Sequence, residues 1–305
     1  MKEKPFLYIK SFGIKLYIVQ ILILILNKLG ILTNIKKKLR LIKNRKINNI
    51  LTKRYQNIID EYKNYHKKKD IYSNKIWILW YTGIENAPEI VKLSIDSIKK
   101  HCPNFEITII TKDNIDKYYK IPDYIKKKVD NKTISLTHFS DILRMNLLKK
   151  YGGRWADATI YLTDNPYNKE NFYTIKFHTD EKESISQGKW CGFFIGGKAQ
   201  IFYDFMVSFF NEYWQKENLI IDYFLIDYII KIAYNNISEI KKIFDNVPYN
   251  NEEIHTLESM LNSKFDNKLA KELLSKNCVH KLTYKKPIND LDKENYYNKL
   301  IKSRK

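Results

Sequence analysis

Between Lys75 and Ile110 the apolar residues change period twice, and this change constrains the fold more than any other feature of the chain. The run Lys75 to Tyr81 (K-I-W-I-L-W-Y) is compact and aromatic, with Asn74 before it and Thr82-Gly83 after it. That is the signature of a buried strand. From Pro88 to His101 the apolar residues Ile90, Val91, Leu93, Ile95 and Ile98 fall at helical spacing. Pro88 suits a first helical turn, and Pro103 ends the helix. Phe105 to Ile110 (F-E-I-T-I-I) then reads as a second strand. A strand, a helix and a strand in this order predict a parallel pair joined by a right-handed crossover.

The alternation continues. Short helices are expected at Asp113 to Tyr119 and Asp123 to Val129, and a longer one at His138 to Tyr151, stopped by Gly152-Gly153. Trp155 to Leu162 reads as a strand, with further short strands at Phe172 to His178 and Gly192 to Ile195. Helical spacing returns over Ile201 to Trp214, Ile221 to Tyr234 and Leu257 to Leu274, the last interrupted near Asn262. Neither a repeat nor a low-complexity linker interrupts the series. The reading is an alternating α/β domain over residues 73–305.

Residues 1–72 differ. The first 70 positions hold 18 Lys+Arg against 4 Asp+Glu, so most of the net charge of +20 is concentrated there. Leu16 to Leu32 is strongly apolar but broken by Gln20, Asn27 and Lys28. It falls short of the ~20 apolar residues that span a bilayer. The cluster Lys36, Lys37, Lys38, Arg40, Lys43, Arg45 and Lys46 follows immediately. An apolar segment beside a basic one predicts a helical extension lying on, or anchored in, the inner face of the cell membrane, with the rest of the chain cytoplasmic. The alternative is a helical hairpin packed on the domain or on a partner subunit. No small-residue cleavage site follows, so a removable signal peptide is not expected. The basic stretch lacks any helix-turn-helix, zinc-finger or RNP pattern, and no nucleic-acid partner is expected. Cys102, Cys191 and Cys278 are odd in number and form no C-x-x-C pair, as free thiols in a reducing compartment would.

The residues able to carry chemistry are concentrated between Ser140 and Thr163 (S-D-I-L-R-M-N-L-L-K-K-Y-G-G-R-W-A-D-A-T-I-Y-L-T). Six of the nine glycines (Gly152, Gly153, Gly188, Gly192, Gly196, Gly197) fall in one stretch of 46 residues that begins within this segment. Asp141 and Arg144 are three apart on one helix and share a face. Asp157 follows on the next strand. In open α/β sheets ligands sit at the carboxyl ends of strands. A carboxylate there suits a hard divalent cation bridging two phosphates, and an arginine suits a phosphate or a sugar hydroxyl. The chain contains no Ser-His-Asp set, P-loop or G-x-G-x-x-G, so hydrolase, kinase and dehydrogenase chemistry is unsupported.

S-D-I-L-R followed by Y-G-G-x-W-x-D-A-T resembles the bacterial capsular polysaccharide synthesis family, which belongs with Och-type α-mannosyltransferases and other sugar transferases carrying a D-x-D motif. The resemblance covers roughly Lys75 to Tyr234, including I-W-I-L-W-Y-T-G and D-Y-F-L-I-D-Y. It implies a GT-A type, Rossmann-like nucleotide-sugar-binding domain and a glycosyltransferase using a nucleotide-diphosphate-sugar donor, with retention of configuration. It also implies Mn²⁺ or Mg²⁺. The acceptor would be a growing surface glycan such as capsule or lipopolysaccharide, free or lipid-linked. Asp141, Arg144 and Asp157 match the catalytic and donor-contacting residues, and Asp157 is the first acid of D-x-D. Trp80, Tyr81 and Thr82 match the region packing on the nucleotide base. The second acid is Thr159 here, a much poorer cation ligand, so a non-catalytic nucleotide-sugar-binding or scaffold subunit is the alternative. His280 is a further candidate near the diphosphate and metal. Gly196, Gly197, Asp222 and Asp227 are candidates for the acceptor or sugar side, and His138 stands beside the motif.

Overall fold

The computed structural model describes residues 3–30, 33–65, 69–167 and 171–302. Seven strands are present among them: β1 (Lys75–Leu79), β2 (Glu106–Ile110), β3 (Arg154–Ala156), β4 (Ile160–Leu162), β5 (Tyr173–Thr174), β6 (Phe194–Gly196) and β7 (Val279–Lys281). Five of them form one sheet in the order β2-β1-β3-β6-β5, and β4 pairs with β7 in a second, two-stranded sheet. The β2-β1-β3 half is parallel, in register Trp77↔Thr108 and Trp77↔Trp155. The β3-β6-β5 half is antiparallel. The expected parallel unit is therefore present, extended by an antiparallel edge.

Alternation along β1 divides the molecule. Trp77 joins one hydrophobic core, while Ile76 and Ile78 join a second. The second core holds α5 (Glu89–His101), which crosses from β1 to β2. The connection from β2 runs through α6 (Ile115–Tyr118) and α7 (Asp123–Asp130) into α8 (Leu136–Tyr151). Ser135 caps α8, its hydroxyl accepting from the His138 N–H at 3.3 Å. Gly152 and Gly153, at φ +67° and +87°, reverse α8 into β3. A Cβ on Gly153 would lie 2.6 Å from the Lys75 carbonyl oxygen, so only glycine fits so close to β1. The buried Trp77 indole donates to the Gly152 carbonyl at 2.9 Å and fastens the reversal to the sheet.

The first core also contains α9 (Gln200–Lys216) and α10 (Leu225–Asn236). It takes in the N-terminal helices α1 (Glu3–Phe12), α2 (Ile14–Leu29), α3 (Thr33–Arg54) and α4 (Gln56–Lys63) as well. Tyr55 packs on Phe209 with ring centroids 4.7 Å apart, and the Tyr62 hydroxyl is 2.9 Å from Ser208 Oγ. The N-terminal helices are thus built into the main core. No helix among the described residues is long and apolar enough to cross a membrane. The last two residues of the expected apolar run, 31–32, lie outside the described residues.

Two differences from the sequence reading bear on the site. The strand expected over Trp155 to Leu162 is broken at Asp157-Ala158-Thr159, where the Ile160 N–H donates to the Asp157 carbonyl at 2.9 Å. The chain leaves the first sheet there and enters the second. The helix expected from Ile221 begins at Leu225, because Asp222 accepts from the N–H groups of Phe224 and Leu225 and holds a turn. Besides a closing helical turn at Tyr297–Ile301, two elements were not expected. These are α11 (Ser238–Asp245), and β7 after α12 (Thr256–Met260) and α13 (Asn267–Lys276).

Candidate functional site

A cavity of about 560 Å³ opens at the carboxyl ends of β1 and β3. Residues 80–82 after β1 form one wall, and Ser140 and Arg144 of α8 another. The Asp157-Ala158-Thr159 turn, Phe193 and residues 281–285 complete it. Asp157 is the one acidic side chain among these lining residues. Trp80, Tyr81, Thr82, Arg144, Asp157 and Thr159 are therefore brought together by the fold. The break after β3 turns D-A-T into a loop that faces the cavity.

Arg144 is the hub. It is only 5% exposed, with its Nη2 3.2 Å from Asp141 and 3.3 Å from Asp157. Its Nη1 donates to the Gly192 carbonyl, and its guanidinium lies 4.9 Å from the Trp155 ring centroid. Five donors in a fixed fork suit this many-sided hold. Asp141 does not line the cavity. It is a buried partner that orients Arg144, rather than half of a solvated i,i+3 pair.

Asp157 is half-buried, its side chain 30% exposed. Its Oδ1 accepts from the Trp155 indole at 2.9 Å and its Oδ2 from Lys281 Nζ at 2.8 Å. Burial alone would raise its pKa, but the Lys281 ammonium and the Arg144 guanidinium outweigh burial and hold the carboxyl below its ordinary value. Asp141 behaves oppositely. Burial, with Asp227 and Asp157 nearby, lifts it to about 7 against the pull of Arg144. Burial likewise lifts Asp227 to about 6, opposed by its hydrogen bond from Trp190 and by Arg144. Of the three carboxylates around this arginine, Asp141 and Asp227 are thus raised and Asp157 is lowered.

The other candidates have different settings. His280 is fully buried opposite Tyr161 and does not line the cavity, which removes it from the diphosphate and metal expectation. The alternation of β7 turns the next residue, Lys281, into the cavity instead. Gly196 and Gly197 form no acceptor-side loop. A Cβ on either would strike backbone, of Arg154 and Asn171 respectively, so they are small in order to close the sheet. Asp222 is bound to Lys43 of α3 at 2.8 Å and anchors the N-terminal helices. His138 is buried between Ser135 Oγ at 2.8 Å and the Tyr223 carbonyl at 3.0 Å, a structural tie that burial keeps at a lowered pKa. Asp227 alone of this group faces open space. With Gly192, Phe193, Phe224, Ile23 and Arg40 it lines a second cavity of about 530 Å³, which shares Phe193 with the first. The sequence reading missed Lys281, Phe193, Tyr284 and Lys285. Only the alternation of a three-residue strand marks Lys281.

The residues fit a resident divalent cation poorly. Mg²⁺ keeps several waters and is held through one or two carboxylates plus substrate phosphates, so the freedom of those carboxylates decides the fit. Here one carboxylate faces the cavity, with both oxygens engaged, and Thr159 offers a hydroxyl only 7% exposed. No three His, Cys, Asp or Glu side chains gather as metal ligands among the described residues. Asp157 is instead paired with both Lys281 and Arg144.

Comparison with known proteins places these features. The model of the family described as "Capsular polysaccharide synthesis protein" matches residues 28–300. No curated protein sequence matches the chain. Among solved structures, the "PaToxG Glycosyltransferase" is similar at 16% identity over 70% of this chain and 84% of that one, with a TM-score of 0.38. With the family match spanning most of the chain, from the end of α2 to residue 300, this protein belongs to the capsular polysaccharide synthesis protein family.

Proposed function

We propose that the chain is a glycosyltransferase of the GT-A type, moving a sugar from a nucleotide-diphosphate-sugar donor to a growing surface glycan. The observation that carries this reading is a pair of cations, Arg144 and Lys281, facing one cavity whose rim holds Trp80 and Tyr81. An anionic diphosphate needs charge-assisted donors, and a base needs a flat apolar wall. The leaving group of sugar transfer is a nucleoside diphosphate, so preorganised positive charge there lowers the barrier. The only carboxylate in the cavity is Asp157, held by Lys281 and Arg144 and thus unsuited as nucleophile or base. This supports a same-face displacement with retention, in which the leaving phosphate takes the acceptor proton. The second cavity, joined at Phe193, suits the acceptor, with Asp227 as a hydrogen-bond acceptor for its hydroxyls.

A membrane surface is the proposed location. Ile14, Ile18, Leu22, Ile25 and Leu29 are exposed at spacings of one helical face along α2, while Leu16, Val19 and Ile23 of the same helix are buried. A second apolar face with no protein partner, beside the basic residues of α3, suits an anionic leaflet.

The test is a panel of nucleotide-sugars, followed by release of nucleoside diphosphate. Turnover by the wild type and its loss in Asp157→Asn are expected; absence of turnover and of binding with every donor would refute the enzyme. Binding without turnover would select the non-catalytic alternative. Cosedimentation with phosphatidylglycerol vesicles should be lost in Ile18→Glu/Leu22→Glu. Equal sedimentation of the variant, or none of the wild type, refutes the membrane face.

A further inference from the structure

We propose that the Lys281 ammonium serves as the cation at the donor diphosphate, so that the site binds a nucleoside diphosphate without a divalent metal. The proposal rests on the glycosyltransferase reading above and names how that site is charged.

Three observations carry it. The first is the donor set: one carboxylate faces the cavity, a threonine stands two residues on, and no metal-ligand cluster exists among the described residues. The second is the placement of Lys281. Its backbone N–H donates to the Ile254 carbonyl at 2.9 Å, it sits in β7 paired with β4, and its ammonium lies 5.0 Å from the Phe193 ring centroid. The side chain is only 19% exposed, so a long flexible stem is held in one direction before any ligand arrives. The third is the shared carboxylate. Lys281 Nζ is 2.8 Å from Asp157 Oδ2, the oxygen that a metal would need. A divalent ion at Asp157 would have to displace the ammonium or sit against two like charges, Lys281 and Arg144.

The charge inventory agrees. Arg144 and Lys281 carry two positive charges and Asp157 one negative, with Lys285 at the cavity wall adding a third cation. An ammonium has three donors. One goes to Asp157, leaving two for phosphate oxygens. In the transfer step the bond between the anomeric carbon and the phosphate oxygen breaks, and its electron pair stays on the nucleoside diphosphate. The acceptor oxygen bonds that carbon, and its proton passes to the leaving phosphate. Lys281 donates to the oxygens that gain charge as this happens. Asp157 keeps the ammonium charged and aimed.

The experiment is equilibrium binding of UDP, GDP, ADP and dTDP to the full chain, by calorimetry, in excess EDTA and in excess Mn²⁺. For whichever diphosphate binds, the wild-type affinity should be the same within about twofold in the two buffers. Lys281→Ala should weaken it by roughly 10- to 100-fold in EDTA, the range expected for charge-assisted hydrogen bonds. Its freed Asp157 should let Mn²⁺ restore part of the loss, a gain of metal response that misfolding would not produce. Lys281→Arg, which keeps the charge, should retain binding in EDTA. Wild-type binding that EDTA abolishes, or that Mn²⁺ tightens more than tenfold, overturns this proposal and leaves the transferase reading standing. No binding of any diphosphate in either buffer overturns both.

Discussion

Asp141 gives a test that separates a buried functional carboxylate from an ordinary helix-surface ion pair. In the folded chain its carboxyl is lifted from the ordinary 3.8 to about 7, first by burial. At ~1.4 kcal/mol for each tenfold change in proton affinity, this corresponds to roughly 4 kcal/mol. The sign follows from linkage: the folded state holds this proton more tightly than the unfolded chain, so the stabilisation is present below about pH 4 and is lost as pH rises through about 7. Asp141→Asn keeps the shape and removes the titration. Urea unfolding of both proteins from pH 4 to pH 8 is the assay. Wild type should lose roughly 4 kcal/mol relative to the variant across that range, a relative midpoint change of about 1 M urea or more for an m-value of ~3 kcal/mol/M. Above about pH 7 the variant also takes a charged partner from Arg144, so donor affinity should fall there and stay near the wild-type value at lower pH. Parallel pH curves would refute the reasoning. A wild type that gains stability with pH relative to the variant would show the opposite, a carboxyl held down by Arg144 as in a solvated pair.

Asp157→Asn should cost about 1–3 kcal/mol at neutral pH, because Lys281 and Arg144 lose a charged partner. The carboxyl is held below its ordinary value, so that cost should shrink as pH falls through its folded pKa, read by urea midpoints in acid. Gly197→Ala should lower stability by at least ~2 kcal/mol, since φ is +97° and its Cβ would run into the Asn171 carbonyl. Gly13→Ala, at φ +88° and ψ 147° with nothing within 4 Å, should cost less, about 1–2 kcal/mol of backbone strain alone; thermal melts of the pair separate backbone strain from collision. Trp214→Ala should cost roughly 3–5 kcal/mol by chemical unfolding. Trp214→Phe should be much milder, because the buried Trp214 indole N–H makes no hydrogen bond.

What could be read from the residues alone follows from the physics of each element. The unit from β1 through α5 to β2 was legible because buried strands and an amphipathic helix have distinct periods. The trio Asp141, Arg144 and Asp157 was legible because a helix, two glycines and a short strand leave little freedom in between. The break at Asp157-Ala158-Thr159 was not, since alanine and threonine are as acceptable in a strand as in a turn. It arises because β4 finds its partner in β7, and that pairing is set by residues 279–281, far along the chain. The same non-local pairing hid Lys281 and made His280 look like the functional residue. The merging of α3 and α4 with the main core was one of two readings that the residues left open. Their charge suggested a separate extension, whereas a few residues such as Tyr55 and Ile59, both fully buried, decide the packing.

The link between Asp157 and Lys281 spans 124 residues of chain. Contacts of such separation are slow to form and come late. A ribosome releases the apolar stripe of α2 about 250 residues before it adds Lys281, and chains fold from the N-terminus as they emerge. The exposed apolar face of α2 and the cavity wall at Lys281 are therefore made at opposite ends of synthesis. Nascent, truncated or proteolysed chains ending before residue 279 keep the α2 face but lack a wall of the cavity. With the diphosphate site proposed above, diphosphate binding then reports completed folding of the whole chain.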